Sequence, residues 1–233
     1  MSDSPIRAWP LSDTSAERAT AFLRSVYAWM FVGLAITAAV AAAIASTPVF
    51  LETVASNRWL FMGALVVELG VVFYLSARVQ KLTPNAATIL FVAYAALNGV
   101  TLSVLTLAYS ERAIATTFAV TAGMFGVMAV FGATTKWSLA GLGQFLYMGL
   151  IGLVLASLLG LFWHNDALEF LISVVGVIFF TGLTAWDAHR LKLLAAGPQA
   201  LSGSYAIMGA LSLYLNFINL FLILLRFQGG RRT

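Results

Sequence analysis

Seven long apolar runs, each long enough to cross a bilayer, take up most of this 233-residue chain. A hydrocarbon core about 30 Å thick needs roughly 20 helical residues. Strands with open edges leave backbone groups unsatisfied in lipid, so the runs predict helices. Residues 25–51 form the first, and 59–77 the second, interrupted only by Glu68. Runs 82–110, 113–135 and 137–165 follow, and 170–186 ends at Asp187. The uncharged stretch 193–225 holds a loop at 195–204 and then the seventh span. Only 9% of residues are charged, against roughly 25% in soluble domains, and mean hydropathy is +0.93. The expectation is an all-α polytopic membrane protein with short loops. Residues 1–24 read as a retained polar tail, 25–226 as a single seven-helix transmembrane domain, and 227–233 as a basic tail.

Boundary residues agree with these divisions. Thr14 with Glu17, and Asp166 with Glu169, have capping-box spacing. Pro48, Pro84 and Pro198 fall between spans, where a missing N–H costs little. Gly152, Ala156 and Gly160 form a ridge of small residues on span five, of the kind that lets helices approach closely. Basic residues set the orientation. With the N-terminus cytoplasmic, Arg7, Arg18, Arg24, Arg78, Lys81, Lys136, Arg190 and Lys192 lie inside, against Arg58 and Arg112 outside. The C-terminal Arg226, Arg231 and Arg232 fit only if the last segment re-enters, whereas its length favours crossing. The net charge of +4 is spread over helix borders, so lipid headgroups are the expected contact and nucleic acid is not. There are no cysteines, which excludes disulfides and thiolate metal sites.

Two carboxylates, Glu68 and Asp187, fall within or at the border of the runs. A charge at bilayer depth costs a few kcal/mol, about 3 on insertion scales, and such residues mark ion or proton paths. For Glu68 the plainer alternative is a neutral, hydrogen-bonded structural acid, because burial disfavours the charged form. Asp187 shares a helical face with Gly176, Phe180, Leu183 and Thr184. On span seven, Tyr205, Gly209, Ser212, Asn216 and Asn219 make the most polar stripe of any span, which predicts that this helix sits inside the bundle. Arg78 lies ten residues beyond Glu68, a poor partner for it but within reach of Asp187; its plainer role is snorkelling to headgroups. Glu52, Glu111, Asp166 and Glu169 make the outer loops acidic, which concentrates cations or simply caps helices. His164 with Asp166 and Glu169 is better read as a solvated loop than as a metal site. No hydrolase, nucleotide-binding or zinc motif occurs, so an enzyme is not expected.

The segments YAALNGVTLS (94–103), TAGMF (121–125), TTK (134–136), GLTAWD (182–187) and GALSLYLNFINLF (209–221) resemble the Bax inhibitor, or transmembrane Bax-inhibitor-motif, family. The resemblance runs from about Arg18 to Arg226. It implies seven helices with the last wrapped by the other six, and a pH-sensitive calcium leak. It also implies a link to stress survival and, in bacteria, to restraint of a membrane-bound protease. A pair of aspartates forms the family's latch. Asp187 matches the first. Where the family usually reads Leu-Asp-Phe-Ile-Asn, residues 215–219 read Leu-Asn-Phe-Ile-Asn, so the second is Asn216. A Glu in span two and an Arg at its cytoplasmic end are also associated with the path; Glu68 matches the first, and Arg78 the second to within a residue. An amide cannot share a proton with Asp187, but its NH₂ can donate to it. The latch is therefore expected to hold over a wider pH range. Spacing raises one objection: Asp187 at the edge and Asn216 roughly 16 Å up its helix meet only if one helix extends past the membrane border.

The leading expectation is a pH-modulated calcium leak of a bacterial inner membrane, needing no cofactor and binding its ion weakly. Asp187, Asn216, Glu68 and Arg78 form its path and latch, with Ser212, Asn219 and Tyr205 in support. The rivals are a non-conducting regulator of a membrane protease or stress pathway, and a proton-coupled transporter.

Overall fold

The computed structural model describes residues 11–160 and 166–227, and the described residues are helical with short connections and no strand. The long helices are α1 (Leu11–Ala45), α3 (Arg58–Arg78), α4 (Pro84–Leu102), α6 (Glu111–Thr134), α7 (Ala140–Gly160), α8 (Asp166–Ala195) and α9 (Gly203–Phe227). Two short helices, α2 (Pro48–Ser56) and α5 (Leu105–Ala108), and a 3₁₀ turn at Pro198–Leu201 complete the order. Pro48, Pro84 and Pro198 each open a helical element, where a proline's fixed φ helps and its absent N–H is not missed. Side-chain caps do the rest. Asn57 accepts from the Leu60 N–H at 3.0 Å, Thr83 from Ala86 at 3.3 Å and Ser110 from Ala113 at 3.2 Å. Thr14, the expected cap, lies inside α1. His164 and residues 228–233 lie outside the described residues, while Asp166 and Glu169, read with His164 as a solvated loop, fall in the first turn of α8.

Among the described residues, six stretches are long and apolar enough to cross a membrane: Ser15–Ala45, Arg58–Arg78, Pro84–Ala108, Glu111–Thr134, Ala167–Ala195 and Gly203–Phe227. The fifth run of the sequence contributes a shorter apolar helix, Gly141–Ser157. Burial is unevenly shared. In the most apolar window of α9, 67% of residues are buried, against 11% in α3. The reason is packing: α9 lies against α1, α4, α6 and α8, whereas α3 touches α4 and α2. Val26 and Met30 of α1, Phe91 of α4, Phe125 of α6 and Leu191 of α8 close on Ile207, Leu211, Tyr214 and Phe217 of α9. Aromatic edges fix the register. Phe118 and Phe125 meet the Phe217 ring at 5.2 and 5.6 Å, and Phe91 and Tyr94 meet Tyr214 at 5.9 and 5.7 Å.

The expected small-residue ridge is only partly covered: Ala156 packs against the cluster around Leu146, Leu153 and Phe180. Gly152 faces open space. On the same helix it is Gly143 and Gly149 that lie under α8 side chains, those of Trp186 and Phe179. The tightest approach joins α6 to α8, where the space a Gly132 Cβ would need is taken by the Ala185 carbonyl.

Candidate functional site

Helix α8 does not stop where its apolar run stops. Ala188, Leu191 and Ala195 carry its buried face two turns beyond Trp186, while Arg190 and Lys192 stay on the exposed side. Asp187 therefore sits eight residues inside the helix end, not at it. This answers the spacing objection, because Asp187 and Asn216 do meet. Asn216 Nδ2 donates to Asp187 Oδ2 at 2.7 Å, and both residues are buried. The second carboxylate oxygen, Oδ1, is 4.0 Å from Arg190 Nη1. The Arg190 guanidinium also lies 5.4 Å from the centre of the Trp186 ring, whose other contact is the edge of Tyr147 at 5.2 Å. The face predicted for Asp187 is the buried one: Gly176, Phe180, Leu183 and Thr184 are all covered.

Asp187 borders a cavity of about 80 Å³ between α3, α8 and α9, room for a few waters. Ser76 and Val79 line it from α3, Arg190 from α8, and Tyr205 and Ser212 from α9. The predicted polar stripe of α9 is thus divided. Tyr205, Ser212 and Asn216 face the cavity or Asp187, while Asn219 turns back to donate to the Leu215 carbonyl of its own helix at 2.8 Å. Arg78 stands exposed and joins neither acid; the cation beside Asp187 is Arg190.

Glu68 forms a second cluster. Thr101 Oγ1 donates to its Oε1 at 2.9 Å and Asn98 Nδ2 to its Oε2 at 3.4 Å, so α4 buries an acid on a helix where otherwise only Leu75 is buried. The Tyr214 hydroxyl of α9 donates to Asn98 Oδ1 at 3.2 Å and lies 2.7 Å from Thr37 Oγ1 of α1. Sequence reasoning assigned no role to Thr37, Asn98, Thr101, Arg190 or Tyr214. Spacing carried part of the signal. Tyr94, Asn98 and Thr101 fall on one face of α4, and Arg190 follows Asp187 by one turn. Thr37 is the one hydroxyl between Tyr27 and Ser46 and carried none. Among the described residues, no group of three or more His, Asp or Glu is placed to hold a metal ion.

A family model described as inhibitor of apoptosis-promoting Bax1 matches residues 19–233. The chain belongs to the Bax inhibitor-1 family. It is 46% identical to the inner membrane protein YbhL of Escherichia coli over 215 residues, 91% of this chain and 92% of that one. An uncharacterized protein of Deinococcus radiodurans is 44% identical over 90% of both chains, and one of Borreliella burgdorferi 41% identical over 91% of this chain and 93% of its own. The Bax inhibitor-1 match takes in both polar clusters, so the acids lie in the shared part of the chain and not in an appended one.

Proposed function

We propose that this Bax inhibitor-1 family protein is a multi-pass protein of the bacterial inner membrane, N-terminus cytoplasmic, that lets cations, calcium foremost, leak through its helix bundle under the control of pH. In this reading the run 137–165 also crosses, making seven spans, and the other six close around α9. Asp187 and Asn216 form the latch, Glu68 lies on the path, and Arg78 marks its cytoplasmic end. The observation that carries the reading is the Asn216–Asp187 hydrogen bond, made between two buried polar residues beside a small cavity. The inner membrane protein YbhL among its relatives and the six apolar helices of the described residues support the inner membrane.

A leak fits this chemistry better than a tight site or a pump. A dedicated calcium cage takes six to eight oxygens, roughly the ligand set of several carboxylates, and two separated acids do not supply it. The ion is therefore held weakly in passage and no cofactor takes part. The test is calcium entry into liposomes that contain this protein alone, followed across pH 6 to 8. A pH-dependent influx that disappears in Glu68→Gln is expected. A flat trace at every pH, with the variant indistinguishable from the parent, overturns the leak. That result would favour a second reading, a non-conducting regulator of a membrane-bound protease or stress pathway. The observation on its side is that Asp187 is held by an amide and a guanidinium, with no second acid to release it.

A further inference from the structure

Helix α3 is mostly bare, yet Glu68 at its middle is only 7% exposed. Its cover is a chain of side chains that crosses three more helices. Asn98 of α4 gives its NH₂ to Glu68 and takes the Tyr214 hydroxyl of α9 on its oxygen. Tyr214 in turn meets Thr37 of α1, and Thr37 Oγ1 donates to the Ala95 carbonyl at 2.8 Å. A primary amide is asymmetric, with donors on nitrogen and an acceptor on oxygen. While the phenol donates to Asn98 Oδ1, the NH₂ must face Glu68. Without that anchor only Tyr94 still holds the amide beside Glu68. The amide can then turn and offer its oxygen, and only a protonated acid satisfies that oxygen.

We propose that Tyr214 is a positioning residue for Glu68, acting through the amide of Asn98, so that α9 governs both acids: Asn216 holds Asp187 directly and Tyr214, two residues earlier, sets the donor on Glu68. The role of Glu68 in conduction rests on the leak reading; the hydrogen-bond relation does not. The other titratable groups facing Glu68 are the phenols of Tyr94 and Tyr214. Helix α4 has no charged side chain, and Glu52 of α2 is exposed.

The purified protein in lipid nanodiscs is treated with dicyclohexylcarbodiimide, which adds to protonated carboxyls in apolar surroundings, and labelling of Glu68 is read by peptide mass. At pH 7, Tyr214→Phe is expected to raise labelling roughly three- to tenfold, the effect of about one hydrogen bond. Thr37→Val leaves Asn98 as the acceptor for Tyr214 and is expected to leave labelling unchanged. No rise in Tyr214→Phe overturns the proposal, and so does an equal rise in both variants, which would signal loosened packing. If Tyr214→Phe does not assemble, a 3-fluorotyrosine placed at 214 keeps the hydroxyl. Its fluorine resonance is then expected to shift on Glu68→Gln, and an identical signal overturns the relation. Neither readout needs conduction. Absent flux with the labelling contrast intact sinks the leak alone, and flux without the contrast sinks the relay alone.

Discussion

Asp187 and Arg190 stand one turn apart on α8 with 4.0 Å between Oδ1 and Nη1, and the guanidinium is drawn back over the Trp186 ring. Arg190 is thus shared between the acid and the indole. Its side chain is 44% exposed, so solvent screens the pair and its direct worth to stability is at most about 1 kcal/mol.

That geometry makes Arg190 a competitor for any cation approaching Asp187. Replacing it by Gln removes a positive charge from the cavity wall. The expected outcome is faster calcium entry into liposomes with an unfolding temperature close to that of the parent, whereas Arg190→Lys keeps the charge and leaves the rate near the parent's. A slower leak in Arg190→Gln would mean that the guanidinium assists the ion instead of opposing it.

The Asn216–Asp187 contact can be weakened or recharged. Asn216→Leu removes the donor and leaves a buried carboxylate oxygen without its partner, at a cost of about 1–3 kcal/mol, visible as a lower unfolding temperature in detergent. Asn216→Asp instead creates two facing carboxylates that must share a proton or repel. Repulsion parts α8 from α9 as pH rises, so calcium flux between pH 6 and 8 is expected to climb more steeply than in the parent. An unaltered slope would show that the contact does not gate.

Glu68→Gln separates charge from structure. Glutamine fills the same volume and keeps an oxygen for the Thr101 hydroxyl, but turns its NH₂ towards the Asn98 NH₂, so thermal stability should fall by about 1–3 kcal/mol. Flux is expected to fall to the protein-free background. Loss of flux accompanied by a larger loss of stability would reduce Glu68 to a structural acid.

How much of this was legible in the sequence depended on whether the signal was local. The helices, the prolines that open them and the buried face of α8 follow from hydropathy and spacing along one segment, whereas the side-chain caps stand at Asn57, Thr83 and Ser110 and not at Thr14. The meeting of Asp187 with Asn216 was suggested by resemblance, but local hydropathy argued against it. The rule that a charge ends a span took Asp187 for the helix boundary, whereas Ala188, Leu191 and Ala195 continue the buried face beyond it. The Glu68 cluster needs four helices at once, and no periodicity within α1 singles out Thr37 as the partner of a tyrosine 177 positions away. Small residues misled for the same reason. A ridge at Gly152 says that helices can approach, but not which face has a neighbour.

Gly132 gives the sharpest test of the packing itself. A methyl there would run into the Ala185 carbonyl, and backbone cannot turn aside as a flexible side chain can. The same turn is pinned by His189, whose Nδ1 lies 3.3 Å from the Gly132 carbonyl near the end of α6. Gly132→Ala must therefore push α6 from α8, and overpacking of this kind costs about 1–3 kcal/mol. Gly152→Ala adds the same methyl to open space and removes a flexible residue from a helix interior, which is neutral or gains up to about 1 kcal/mol. Thermal unfolding in detergent is expected to place Gly132→Ala below the parent and Gly152→Ala at or above it. The reverse order would mean that α7 and not α6 makes the close approach to α8, and the setting of the helix that carries Asp187 against α9 would have to be redrawn.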